Sequence, residues 1–191
     1  LFVGTEIAAV GYRLDAHPTP LQMVAYRKAK EDFFAALPRS LQQAALYRPY
    51  FDVPGSLQDA PWLLPRFPLL RLCTGPLLPQ ILACRLLVLD HHGTTLLEAM
   101  TAGIPCICYW QREAWPLTPE GEDMLDELAG AGIWYATPQA AAEAAQRIWE
   151  AGEDWWAAPA RQAARRKFRS RYALTVERSE NPLWLQTLKN L

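Results

Sequence analysis

Two short apolar runs with a helical pattern between them constrain most strongly what this chain can fold into. Residues 85–89 and 105–109 have the composition of buried strands, and residues 94–102 between them have the periodicity of a helix. A strand that is apolar on both faces has to be covered on both faces, which is typical of a parallel sheet between helices. The sequence therefore predicts an α/β fold with a Rossmann-like parallel sheet.

The rest of the chain continues this alternation. Helices are predicted over 21–37, 76–83, 120–129, 139–150 and 161–171, and further strands before residue 15 and over 43–47, 67–72 and 133–135. The Pro-rich stretch 48–65 is predicted to be irregular. We expect residues 1–151 to form the Rossmann-like domain and residues 152–191 a helical extension that packs on it. Because the chain opens with apolar residues and no methionine, we also expect a further N-terminal domain outside it.

Composition excludes several classes of function. A net charge of -1 over 191 residues gives no overall field that would attract nucleic acid. The four cysteines contain no CxxC pair and there are three histidines, so we predict core cysteines and no metal site. No apolar stretch is long enough for a membrane span and no signal peptide is present, which predicts a cytoplasmic protein. The basic stretch 161–171 is interpreted as a solvated helix face, with contact to the inner membrane surface as the alternative.

The most informative polar motif lies between the two apolar runs. Gly93, Thr94 and Thr95 open the predicted helix, and Asp90 and Glu98 flank them. A helix that begins at the carboxyl end of a parallel strand offers free N–H groups and a positive dipole end, which suit a phosphate. We therefore predict a phosphate site at Gly93, Thr94 and Thr95. Glu98 lies one turn further on nearly the same face, where its carboxylate can accept hydrogen bonds from a ribose.

An alternative for the same residues is simple helix capping. Thr94 or Thr95 would cap the helix, and Glu98 would complete a capping box with Thr95.

The stretch from Leu97 to Pro105, with Asp90 before it, resembles the donor-binding signature of GT-B type glycosyltransferases. That pattern has two acidic residues separated by seven others, followed by a Gly-x-Pro turn. The resemblance implies that Glu98 binds the ribose of a nucleotide-sugar and that Asp90 lies near the donor sugar or its phosphates. The Gly-Thr-Thr element also resembles the paired-hydroxyl motif with which capsule and teichoic-acid transferases hold phosphates.

A wider resemblance covers nearly the whole chain. The segments that carry it are Tyr12 to Leu14, Gln22, Tyr26, Arg48 to Tyr50, Asp90 to Pro105, Gly132 and Ile133, Trp155 and Trp156, and Phe168 to Tyr172. They resemble the C-terminal region of a family of transferases associated with bacterial surface-polysaccharide clusters. The resemblance implies one half of a GT-B enzyme, with a nucleotide-sugar as co-substrate, no separate cofactor, and a glycan or lipid-linked glycan as acceptor.

Further candidate residues follow the strands. Arg13, His17 and Arg48 are predicted near the same sheet edge, where Arg13 or Arg48 would neutralise the leaving phosphates. His91 and His92 are candidates for phosphate or sugar contact or for a catalytic acid. Neighbouring side chains on an extended segment point to opposite sides, so we expect one of the two to face the ligand and favour His92.

Aromatic side chains near the motif have two interpretations. Trp110 and Trp115 follow the second apolar run, where either packing or stacking on a ligand is possible.

The sequence therefore predicts the donor-binding half of a glycosyltransferase, with the catalytic residues unassigned. One alternative is a polyol-phosphate transferase that uses a CDP-linked donor. The other is a domain without catalytic activity that binds a nucleotide or a protein partner.

Overall fold

The strands form one parallel sheet. A computed structural model describes residues 1–5, 7, 22–52, 54–152 and 154–174 of the chain. Its strands are β1 (Phe2–Val3), β2 (Leu46–Arg48), β3 (Arg71–Leu72), β4 (Leu87–Leu89), β5 (Cys106–Tyr109) and β6 (Trp134–Tyr135). They are arranged in the order β3-β2-β1-β4-β5-β6, and every neighbouring pair is parallel. Phe2 pairs with both Tyr47 and Val88, so β1 lies in the middle of the sheet.

Helices connect the strands. They are α1 (Met23–Ala36), α2 (Arg39–Ala44), α3 (Ala60–Leu63), α4 (Leu77–Ala83), α5 (Thr94–Ala102), α6 (Pro119–Gly130), α7 (Pro138–Ala151), α8 (Asp154–Ala157) and α9 (Pro159–Tyr172). A single turn of 3-10 helix, Arg112–Ala114, precedes α6.

The sheet is buried on both faces, as its apolar strands predict. Along β5, Cys106 and Cys108 belong to the core on one face, together with side chains of α5, α6 and α9. Ile107, between them, belongs to the core on the other face, together with side chains of α1 and α7. β4 alternates in the same way, with Leu89 on the first face and Val88 on the second. The α/β Rossmann-like prediction is therefore confirmed, and the two cysteines point to the same side, as expected.

The segment before β2 differs from its prediction. The strand expected over 43–47 is displaced to Leu46–Arg48 because Arg39–Ala44 forms α2. The Gln42 side chain explains why a helical turn is favoured here. Its amide donates hydrogen bonds of 2.9 Å to the carbonyls of both Phe34 and Leu37, which lie at the end of α1. The side chain of Gln42 in α2 therefore adds hydrogen bonds to carbonyl groups at the end of α1.

The C-terminal helices dock on the end of α5. Arg165 of α9 donates from Nε to the Met100 carbonyl at 2.7 Å and from Nη2 to the Thr101 carbonyl at 3.0 Å. The indole of Trp156 donates to the carbonyl of Gly103 at 2.8 Å. These carbonyls belong to the last turn of α5, where no further helical N–H is available. The helix that follows the predicted phosphate motif is thus fixed at its carboxyl end.

We predict that Arg165→Ala destabilises the fold by about 1.5–3 kcal/mol, because hydrogen bonds from a charged donor to two carbonyls are lost. The measurement is the free energy of unfolding in urea. Arg166→Ala is the control, since Arg166 is the next residue of α9 and its side chain is exposed. Equal effects of the two substitutions would contradict the docking role of Arg165.

Candidate functional site

The strand order defines one edge of the sheet as the expected binding edge. In the order β3-β2-β1-β4-β5-β6, successive connections run in opposite directions from β1 and β4. Ligands of such sheets bind outside the carboxyl ends of the strands at this switch point. Gly4 and Thr5 leave β1 here, and residues 90–93 leave β4. The predicted phosphate motif therefore lies where the fold most favours a ligand.

Helix α5 begins without a side-chain cap. Its N-cap residue is Gly93, in extended conformation with φ −150° and ψ −174°. In contrast, the hydroxyl of Thr118 accepts the Gly121 N–H at the start of α6, and the hydroxyl of Thr137 accepts the Ala140 N–H at the start of α7. The same chain thus caps two of its helices with threonine and starts α5 with glycine.

The capping alternative for the two threonines is therefore wrong. Thr94 is the first helical residue and Thr95 already lies in the first turn, so neither occupies the capping position and no box forms with Glu98. Within the described part of the chain, no hydrogen bond occupies the N–H groups of Thr94 and Thr95. The start of α5 consequently presents two free backbone donors and the positive end of the helix dipole.

Glycine at position 93 has a steric reason. A Cβ on Gly93 would lie 2.9 Å from Cδ2 and 3.0 Å from Nε2 of the His91 ring, which is closer than real Cβ contacts. The imidazole of His91 therefore packs directly against the backbone at the start of α5, and a side chain at position 93 would force the ring to shift.

A buried group of charged and phenolic side chains lies behind this loop. Lys30 of α1 is 0% exposed and forms ion pairs with Asp59 and with Asp90, the latter at 3.4 Å. The Tyr47 hydroxyl lies 3.2 Å from Nζ of Lys30 and 3.2 Å from the Asp59 carboxylate. Burial lowers the pKa of Lys30, but the surrounding phenols and carboxylates outweigh that effect and raise its pKa well above the ordinary value. Lys30 is therefore charged.

Both carboxylate oxygens of Asp90 have partners. The Tyr26 hydroxyl donates to Oδ2 at 2.5 Å, and Nδ1 of His91 lies 3.0 Å from Oδ1. Burial raises the pKa of Asp90, but the charge of Lys30 and the hydrogen bonds from His91 and Tyr26 outweigh burial, so the pKa lies below its ordinary value. Asp90 is thus an ionised carboxylate that is 2% exposed and holds the His91 ring in place.

An apolar groove begins at the same loop. It has a volume of about 360 Å³ and runs between α5, α6 and α9. His92, Gly93 and Thr94 line one end, and Phe168 and Tyr172 of α9 line another part of it. The volume falls in the range of ligand sites.

The two histidines point to different surroundings, as expected. His92 lines the groove and packs edge-on against Trp115, with ring centroids 4.9 Å apart. Trp110 also packs edge-on against His92, at 5.7 Å, and itself lines the groove. His91 instead contacts Asp90.

The remaining predicted site residues do not all lie beside the loop of residues 90–93. Glu98 has an exposed side chain one turn along α5, and it does not line the groove. Arg48 ends β2 and donates to the carbonyl of Gly75 at 2.5 Å, so it belongs to the same edge but is two strands away from β4. Arg13 and His17 lie outside the described residues. The binding roles of these residues stay predictions.

Sequence reasoning missed the buried cation. The predicted helix 21–37 placed Lys30 on its polar face, whereas Tyr26, Lys30, Phe33 and Phe34 are the buried residues of α1. A signal was available, because positions 26, 30 and 33 are spaced as one helix face and two of them are aromatic. Asp59 lay in the stretch predicted as irregular and gave no signal.

The described residues contain no group of three or more histidine, cysteine or acidic side chains that could hold a metal ion. In the same residues, no helix is long and apolar enough to cross a membrane.

Comparison with known proteins gives a family. The model of the LIC12162 family transferases matches residues 1–188. The chain belongs to this transferase family. No curated protein and no solved structure matches it significantly. The predicted transferase class is therefore confirmed.

We predict that Lys30→Met destabilises this LIC12162 family transferase by about 3–5 kcal/mol, because Asp59 and Asp90 lose their buried counter-charge. The measurement is again urea unfolding. The control is Lys28→Met on the same helix, since Lys28 is exposed and pairs with its helix neighbour Asp32. We expect little change from that control. A Lys30→Met variant as stable as wild type would contradict the ion-pair account.

Proposed function

We propose that this protein binds the phosphates of a nucleotide-sugar at the start of α5 and transfers the sugar to a bacterial surface-polysaccharide acceptor. The observation that carries the proposal is the uncapped start of α5 at the switch point of the sheet, where Thr94 and Thr95 have free N–H groups. Membership in a transferase family supports a group-transfer reaction.

The electrostatics of this position suit a leaving phosphate. Oriented N–H groups and the helix dipole together act as about half a positive charge at the start of a helix. During transfer, negative charge accumulates on the phosphate oxygen that separates from the sugar, and preformed donors stabilise that charge without reorganising. The hydroxyl of Thr94, an exposed residue that lines the groove, adds a further donor at the same place.

Neighbouring groups support binding of the rest of the donor. Glu98 is exposed one turn along α5, at the spacing that the ribose role requires. The groove of about 360 Å³ provides space directly beside the phosphate site. Asp90 acts through His91 in this proposal, because its own carboxylate is 2% exposed. Arg48, and Arg13 in the part not described, would add positive charge at the sheet edge.

The broader assignment follows the resemblance to GT-B enzymes. We infer that the chain supplies the donor-binding half and that a further domain supplies the acceptor site. The acceptor would be a glycan or lipid-linked glycan, the reaction cytoplasmic, and the nucleotide-sugar a co-substrate with no separate cofactor.

The decisive test removes one backbone N–H without disturbing the helix. Proline is favoured at the first helical position, and the extended Gly93 before it is compatible with proline. Thr94→Pro therefore removes the hydroxyl and the N–H, whereas Thr94→Ala removes only the hydroxyl. Binding of UDP, GDP, CDP, CMP and their sugar conjugates to wild type is measured by calorimetry. The ligand that binds most tightly is then used to compare the two variants.

We expect Thr94→Pro to weaken that ligand about tenfold or more relative to Thr94→Ala, because a hydrogen bond to a charged group contributes about 1.5–3 kcal/mol. Equal affinities of the two variants, with wild-type thermal stability, would contradict phosphate binding at α5. A preference for CDP-linked ligands would favour the alternative reaction, in which a polyol phosphate is transferred from a CDP-linked donor. Binding of no nucleotide would contradict the proposed function.

A further inference from the structure

The imidazole of His91 is held on one edge and open on the other. Its Nδ1 lies 3.0 Å from Oδ1 of Asp90, and the residue is 8% exposed. Within the described part of the chain, Nε2 has no hydrogen-bond partner. The Nε2 edge of the ring is therefore available to a ligand, whereas the Nδ1 edge is occupied by Asp90.

Asp90 determines which nitrogen carries the proton. Its carboxylate is ionised, and it is fixed from behind by the Tyr26 hydroxyl at 2.5 Å and by Lys30 at 3.4 Å. An ionised carboxylate accepts hydrogen bonds only, so Nδ1 of His91 must be the donor. Nε2 is then the ring atom at which a proton can be exchanged with a ligand.

Nε2 also lies at the start of α5. It is 3.0 Å from the point where a Cβ would stand on Gly93, the residue that immediately precedes the two free N–H groups. An anion that binds these N–H groups lies beside the open edge of the ring. Nε2 of His91 therefore lies next to the proposed phosphate site.

We propose that His91 is the general acid of the transfer reaction, that it donates its Nε2 proton to the departing phosphate, and that Asp90 is its positioning residue. This proposal rests on the proposed function. It assigns the acid to His91, whereas the sequence favoured His92 as the ligand-facing histidine.

The step balances without an added reagent. The bond between the sugar carbon and the phosphate oxygen breaks, its electron pair goes to that oxygen, and the oxygen takes the proton from Nε2. The acceptor oxygen forms the new bond to the sugar carbon and releases its own proton to water. His91 is protonated again from water, so the products are the glycoside and a protonated nucleotide phosphate.

Charged and titratable groups approach this ring from its own loop and from α1, and a tryptophan packs beside it. Its own loop supplies Asp90 and His92, helix α1 supplies Tyr26 and Lys30 behind Asp90, and the ring of Trp115 lies 6.4 Å away. Tyr47 and Asp59 lie one layer deeper, against Lys30. Of these groups, the histidines have ordinary pKa values closest to neutrality.

The test is the pH dependence of nucleoside diphosphate affinity. Calorimetry between about pH 5.5 and 8 is run with UDP, GDP or CDP, whichever binds tightest, on wild type, His91→Gln and His92→Gln. Ionisation of the ligand phosphate contributes equally to the curves of wild type and variants. Differences between the curves therefore come from the ionisation of groups in the protein. We expect wild type to lose about tenfold in affinity relative to His91→Gln as pH rises through the imidazole range.

The other variants make the assignment specific. His92→Gln should keep the wild-type pH dependence whatever its absolute affinity. Asp90→Asn should reduce the affinity advantage of wild type over His91→Gln at low pH, because the carboxylate that positions the His91 ring is removed. A pH dependence unchanged in His91→Gln, or lost in His92→Gln, would overturn the acid role alone. Binding of no nucleoside diphosphate would overturn the proposed function and the acid role together.

Discussion

The buried ammonium group of Lys30 is the constraint on which the site depends. It joins helix α1 to Asp59, from the stretch before α3, and to Asp90, in the loop after β4. An unpaired charge in the interior is very unfavourable, so the folded state requires both of these segments to lie against Lys30. Gly4, after β1, lies close to the same group, since a Cβ there would be 3.1 Å from Nζ of Lys30. Lys30 thus joins α1 to the carboxyl end of β4.

That fixed point determines the geometry in front of it. Lys30 and Tyr26 hold the Asp90 carboxylate, Asp90 holds the His91 ring, and the ring packs against Gly93 at the start of α5. Each contact leaves the next group little freedom to reorient. The proposed binding site is therefore preorganised, since its donors are already placed before a ligand arrives. The carboxyl end of α5 is held independently by Arg165 of α9.

The sequence predicted the regular part of the fold well and the buried polar part poorly. The helix predicted over 94–102 begins and ends as the structure has it, because apolar strands and a glycine at position 103 define its limits. The spacing of Lys30 with two aromatic residues indicated a buried position, but its partner Asp59 could not be found because it lies 29 residues away in an irregular stretch. The start of α5 was located correctly, and the structure excludes threonine capping by placing Gly93 at the N-cap, while phosphate binding stays a prediction.

A crystal structure of the chain with the tightest-binding nucleoside diphosphate tests the central claim most directly. The account predicts phosphate oxygens about 2.7–3.2 Å from the N–H groups of Thr94 and Thr95, with one oxygen facing Nε2 of His91. A nucleotide bound with its phosphates away from the start of α5, for example beside the basic residues of α9, would contradict the account.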